Sequence, residues 1–149
     1  GRTIEEAENE LIPKYPHYEK EIQMYYKNHR KMIRGTYDLS IKVLENLKKL
    51  NYECYVLSNW SAETFEGMID DYPFLKLFEG LLISGEEKLM KPDAAIYELA
   101  IKRFNLIPKE TVFIDDKIEN INAARVLDLN IIHLVNPTNI ESEINKFLI

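Results

Sequence analysis

The chain has 149 residues, 46% of them hydrophobic and 30% charged, the balance of a globular protein that buries a core of useful size. Nineteen basic and 25 acidic residues give a formal charge of −6 with no basic face, which points away from nucleic acid as a partner. No apolar run approaches the roughly 18 residues that span a bilayer, and the start carries no signal-peptide pattern, so a cytoplasmic protein without a membrane segment is expected. The length suits one domain, or one domain and part of another. Cys54, the single cysteine, cannot close an internal disulfide, which fits a reducing compartment. Its apolar neighbours mark it as a packing residue.

The first third reads as helical and polar. Thr3 with Glu6 forms a capping-box pattern, and Ile4, Ala7, Glu8 and Leu11 make a stripe with one acidic gap. "PHYEKEIQMYYKNHRKMI" continues as a second helical run, with Tyr18, Ile22, Tyr25, Tyr26 and His29 on one stripe. Arg34-Gly35-Thr36 interrupts the pattern, and "YDLSIKVLENLKKL" resumes it. After Leu50 the period changes. Four short apolar runs follow, "CYVLS" (54–58), "GLLIS" (80–84), "TVFID" (111–115) and "IIHLV" (131–135). Helical patterns separate them, including "AAIYELAIKRF" and "IENINAARVLDL". Short strands alternating with helices predict an α/β fold with a parallel sheet covered on both faces.

Ligands of such sheets bind at the carboxyl ends of the strands. The residues there are Ser58-Asn59-Trp60, Ser84-Gly85-Glu86, Asp115-Asp116 and Asn136-Pro137, with Lys91 in the loop after the second run. Asp115 and Asp116 repel one another by roughly 1 kcal/mol at 4 Å in water and by about 4 at an effective dielectric near 20. A hard cation turns that repulsion into attraction, and Mg²⁺ favours a few carboxylates with waters and phosphate oxygens. Ser58 offers a hydroxyl beside a helix start near Ser61, and Lys91 offers a compact positive charge. Each piece alone has a plain reading: a helix cap, a turn, a loop lysine. Their order after successive strands suggests a site for a phosphate and a divalent cation.

"VLSNW", "MKPDAAIYELA" and "TVFIDDKIENINAARVLDL" resemble motifs two, three and four of the haloacid dehalogenase-like (HAD) hydrolase superfamily. The resemblance is closest to phosphatase-like members with a small helical cap, and it runs from about Gly35 to the C-terminus. It implies a Rossmann-like three-layer parallel sheet over 34–149 and part of an α-helical cap over 1–33. It implies that Ser58 and Asn59 bind the transferring phosphoryl group and that Lys91 neutralises phosphate and nucleophile. Asp115 and Asp116 would hold Mg²⁺, with Asp116 as the direct ligand and Asn120 supporting their loop. The implied reaction is hydrolysis of a small phosphorylated metabolite, such as a sugar phosphate or nucleotide, through an aspartyl-phosphate.

The sequence departs from this family in two places. Asp128 stands where the family often has glycine, a matter for the local turn. The family's first motif, a strand ending Asp-x-Asp, has no counterpart: Asp38 opens a helical pattern, and Asp70-Asp71 follow a helical segment. That strand belongs at the centre of the sheet, between the strands of motifs two and four. Its absence exposes two inner edges, and the expectation is that it lies N-terminal to Gly1. Two other readings compete. A metal-independent 2-haloacid dehalogenase is disfavoured by the acid pair, and a non-catalytic binding module fits a chain without the nucleophile. A receiver-type signalling domain carries its acid pair before its lysine, the reverse of the order here. Tyr15, His17, Tyr18, Tyr25, Tyr26 and His29 read mainly as packing within the cap, and Arg30 as a candidate for an anionic group. Trp60 reads as a neighbour of the site, His133 as structural.

Overall fold

The change of period after Leu50 is the point at which the chain stops forming helices alone. A computed structural model describes residues 3–148. Helix α1 (Ile4–Lys14) starts in the predicted capping box: Glu6 N–H donates to Thr3 Oγ1 at 3.0 Å, and Thr3 N–H donates to Glu6 Oε2 at 2.9 Å. The expected second helical run is divided. A 3₁₀ turn at Pro16–Tyr18 leads into α2 (Glu19–Lys27), and Asn28 separates it from α3 (His29–Met32). Asn28 closes the end of α2, where its side-chain amide and its backbone N–H both donate to the Met24 carbonyl, at 2.9 and 3.0 Å. The aromatics of this segment are less buried than a packing role requires. Tyr15, Tyr18 and Tyr25 are exposed, although Tyr25 meets Tyr26 edge-on at 5.2 Å.

The remaining elements follow the predicted alternation. They are α4 (Asp38–Lys49), β1 (Tyr55–Ser58), the single turns α5 (Ala62–Phe65) and α6 (Met68–Asp71), β2 (Gly80–Ile83) and α7 (Ser84–Glu87). Then come α8 (Ala94–Arg103), β3 (Val112–Asp115), α9 (Ile118–Val126), β4 (Asn130–His133) and α10 (Ile140–Ile144). Asp38 opens α4, as expected, whereas Asp70-Asp71 lie within α6 and do not merely follow a helical segment. Among the described residues no helix is long and apolar enough to cross a membrane. Cys54 is free and half-buried; burial pushes its thiol pKa up despite the nearby Lys48, which suits a packing role.

The four strands form two separate parallel pairs. β1 pairs with β2 in the register Leu57 to Leu82, and β3 pairs with β4 in the register Asp115 to His133. Among the described residues, β1 and β3 therefore each keep one edge without a strand partner. The pairs are joined underneath by a shared apolar layer. Leu82, Ile96, Tyr97, Ala100, Ala124 and Leu129 bury together, with Leu57 of β1 and Phe113 of β3 packed against them. On the opposite face Val43, Ile132, Ile140 and Ile144 form a second layer with Val112 and Ile114. Alternate residues of β3 thus serve opposite layers, as a strand covered on both faces requires.

Helices α4, α8 and α9 end in the same way. Asn51, Asn105 and Asp128 take left-handed conformations, with φ of 63°, 51° and 60°. The next residue in each case donates back to the helix: Tyr52 N–H to Leu47 O, Leu106 N–H to Ile101 O, Leu129 N–H to Ala124 O. These are Schellman closures, which use up carbonyls orphaned at a helix end. The position where glycine was expected is therefore a left-handed turn made by an aspartate. Replacing Asp128 by glycine removes part of a conformational cost of roughly 1 kcal/mol. Asp128→Gly is expected to raise the thermal midpoint by about 1–3 °C, and Asp128→Val to lower it. Scanning calorimetry of the three proteins reads the sign.

Candidate functional site

Ser58 and Asp115 are the last residues of β1 and β3, so each strand delivers a polar side chain at its carboxyl end. Lys91 joins them. Its Nζ donates to the Leu57 carbonyl at 2.7 Å and to Asp115 Oδ2 at 2.7 Å. The side chains of Lys91 and Asp115 are only 10% and 7% exposed, so this is an ion pair largely removed from water. Lys91 Nζ also stands 5.5 Å from the centre of the Phe113 ring.

Asp115 is satisfied on both oxygens. Oδ1 accepts from the Lys117 backbone N–H and from Asn120 Nδ2, each at 2.9 Å, while Oδ2 takes Lys91. Burial pushes its carboxyl pKa up, but the hydrogen bonds from Lys91, Lys117 and Asn120 outweigh burial and hold it below the ordinary value. Asn120 is itself buried, and its carbonyl accepts from the Tyr97 hydroxyl at 3.0 Å. Burial, followed by the charge of Asp115, pushes the Tyr97 hydroxyl far above its usual pKa, so it stays a neutral donor.

Asp116 is exposed, and its side chain makes no hydrogen bond or ion pair with the described residues. Its backbone carbonyl lies 3.0 Å from His133 Nε2, across from Asp115 in the β3–β4 register. His133 is thus exposed at the end of β4 and attached to the acid-pair loop, a role its apolar neighbours concealed. The Ser58 hydroxyl also makes no hydrogen bond with the described residues. Asn59, the other residue expected at the phosphoryl group, faces the Lys91 backbone. Its Nδ2 donates to the Lys91 carbonyl, and its Oδ1 accepts from the Lys91 N–H, both at 2.8 Å.

The loop after β1 is held from beneath. Ser84 Oγ and Gly85 N–H both donate to the Trp60 carbonyl, at 3.2 and 3.0 Å. A Cβ on Gly85 would collide with the Ala62 backbone nitrogen, so glycine is required there. Trp60 packs its ring edge-on against His29 of α3 at 5.7 Å and Phe65 at 5.9 Å. Arg30 turns to the Glu66 carbonyl and to Asp71 at 3.5 Å, so its guanidinium is occupied within the protein instead of waiting for a ligand.

A hollow of about 450 Å³ opens elsewhere, lined by Phe65, Ile69, Leu81 and Ile83 with Glu66, Asp70 and Glu86. Three acids without a lysine or arginine among its lining residues would repel a phosphate. The strand-end cluster differs in holding a cation of its own, Lys91. For a cation, hard carboxylate oxygens at Asp116 and Asp115 suit Mg²⁺, which commonly takes one or two carboxylates with waters. Among the described residues no group of three acids, histidines or cysteines converges. The residues present therefore fit a Mg²⁺ completed by water and phosphate oxygens, not one enclosed by protein.

Comparison with known proteins agrees with the sequence motifs. A 32% identical stretch of 94 residues is shared with a sesquiterpene phosphatase of Aspergillus oryzae, covering 63% of this chain and 48% of that protein. An (S)-2-haloacid dehalogenase of Burkholderia cepacia is 24% identical over 100 residues, 67% of this chain and 43% of that one. The chain therefore spans less than half the length of either relative. A HAD family enzyme of Bacteroides thetaiotaomicron, solved as a variant with magnesium and inorganic phosphate, superposes with a TM-score of 0.58 at 25% identity. That match covers 64% of this chain and 52% of the other. The α/β layers, the parallel strand pairs and a family model matching residues 1–134 agree: the chain belongs to the haloacid dehalogenase-like hydrolases.

Proposed function

We propose that the protein is a Mg²⁺-dependent phosphatase of a small phosphorylated metabolite, working through an aspartyl-phosphate. The observation that carries this reading is the contrast within the acid pair. Asp115 is neutralised by Lys91, whereas Asp116 stands exposed beside it with an uncompensated carboxylate. A dianionic ester approaching that carboxylate needs a cation between them. The phosphatase relative and the magnesium- and phosphate-bound HAD family enzyme support the same chemistry.

In this reading the helices before residue 34 are part of a cap, and 34–149 forms the core. The nucleophilic aspartate belongs to a further strand between β1 and β3. The split of the sheet at that position supports this placement. Ser58 Oγ donates to the phosphoryl oxygens. Lys91 donates to the same oxygens and lowers the cost of bringing nucleophile and phosphate together. Asp116 and, less directly, Asp115 hold the metal, which supplies charge neutralisation of the phosphoryl group when bound. Asn120 fixes Asp115 in its orientation. We place the protein in the cytoplasm, where its single cysteine would stay reduced.

The dehalogenase relative keeps one alternative in view. Phosphate release from sugar phosphates and nucleotides, and halide release from 2-chloropropionate, each measured with Mg²⁺ and with EDTA on the whole protein, separate the two. Phosphate release abolished by EDTA supports the proposal. Halide release that survives EDTA overturns it.

Three outcomes are expected in the whole protein. Asp116→Asn should raise the Mg²⁺ concentration for half-maximal activity by about tenfold or more, as loss of a ligand charge does, with little change in thermal midpoint. Lys91→Ala should lower kcat by roughly 10²–10³-fold, the usual cost of removing one preorganised donor. The third concerns acid. The pKa of Asp115 is lowered on folding, so its contribution is fully present above the unfolded value near 3.9 and is lost as pH falls through the folded value. The stability gap between the parent and Asp115→Asn should therefore be widest near neutral pH and narrow below about pH 4. Urea unfolding across pH 2–7 measures that gap.

A further inference from the structure

Asn59 has a side chain whose two functional groups face one backbone unit. The acceptor Oδ1 meets the Lys91 N–H and the donor Nδ2 meets the Lys91 carbonyl, both at 2.8 Å, across 32 positions of sequence. The orientation of the amide is settled by chemistry: a backbone N–H needs the oxygen, and a carbonyl needs the NH₂. The pattern copies one rung of a β-ladder with a side chain in place of a strand. At the other end of the same residue, Lys91 Nζ is held by the Leu57 carbonyl and by Asp115. A lysine has four rotatable side-chain bonds, and a loop lysine ordinarily samples many positions. Here its backbone and its ammonium are both anchored.

The anchors come from one short segment. Leu57 supplies a carbonyl for the ammonium, Asn59 supplies the clasp for the backbone, and Ser58 lies between them. We infer that Asn59 is a positioning residue that fixes Lys91 to the Ser58 strand end, so that the serine hydroxyl and the lysine ammonium reach a phosphoryl group as one unit. The inference rests on the phosphatase reading above and adds to it. Asn59 touches no reacting atom in this role. It acts through Lys91 alone, and its removal leaves the ion pair with Asp115 chemically possible but the lysine backbone free to drift.

A four-way comparison in the full-length protein tests this, using p-nitrophenyl phosphate with Mg²⁺: parent, Asn59→Ala, Lys91→Ala and the double variant. Asn59→Ala is expected to lower kcat by about 10- to 100-fold, the range seen when an outer partner of a site is removed. KM should change less than about threefold, since the effect falls on the transition state. Adding Asn59→Ala to Lys91→Ala should change kcat by less than about twofold, because residues acting through one another are not additive. Asn59→Asp keeps the acceptor and loses the donor, and should fall between parent and Asn59→Ala. Effects that multiply in the double variant overturn the inference, as does an unchanged kcat for Asn59→Ala. Unchanged kinetics for Lys91→Ala would instead sink the phosphatase reading. A second readout needs no turnover: the Lys91 amide should exchange hydrogen slowly in the parent and fast in Asn59→Ala, while Leu82 and Ile132 amides stay protected. An equal Lys91 exchange rate in both proteins would show that no clasp exists.

Discussion

The structure depends on one ammonium group held between two half-sheets. β1–β2 and β3–β4 share no backbone hydrogen bonds among the described residues, yet Lys91 bonds to the Leu57 carbonyl of one and Asp115 of the other. A buried ion pair is not stabilising in itself, because desolvating both charges costs several kcal/mol per ion. What makes this pair tolerable is that its acceptors are complete. Asp115 receives three donors, and the lysine sits near the Phe113 ring. An ammonium has three N–H donors, and two are engaged here, by Leu57 and Asp115.

Below that polar link, the apolar layer around Ile96, Tyr97 and Ala124 carries both half-sheets on α8 and α9. This arrangement explains why the site residues can converge although β1 and β3 are not paired. Tyr97 ties the two levels together. Its ring packs edge-on against Phe113 at 5.3 Å, and its hydroxyl holds the carbonyl of Asn120, whose side chain holds Asp115. Orientation of the Asp115 carboxylate thus begins at a fully buried side chain.

Much of this was legible in the residues. The four strands fell where short apolar runs met turn signals, and the Thr3–Glu6 box needed only a three-residue spacing, since both depend on local chemistry. The meeting of Lys91 with Asp115 was suggested by their motifs. The partnership of Asn59 with Lys91 was not, because a carboxamide after a serine reads equally as a turn or as a ligand contact. Only the approach of two loops 32 positions apart decides between them. His133 was hidden for the opposite reason: its apolar neighbours describe the strand interior, while the residue occupies the strand end. The helical run from Pro16 to Ile33 was divided by Asn28, whose side chain caps a carbonyl within its own turn. Periodicity does not register such a cap.

The two adjacent acids also show why like charges can share a strand end. The pair is electrostatically unfavourable only if both carboxylates see the same surroundings. Asp115 points inward to a lysine, a backbone N–H and an amide, and its pKa falls. Asp116 points outward, where water screens it. The division falls where the strand stops: Asp115 is the last residue of β3, and Asp116 is the first beyond it, in the bend that leads to α9. One aspartate therefore joins Lys91 to the strand end, and the other leaves its carboxylate in solvent. A chain with a single acid at this position could either hold the lysine or present a carboxylate to water. Two in succession let the same loop do both.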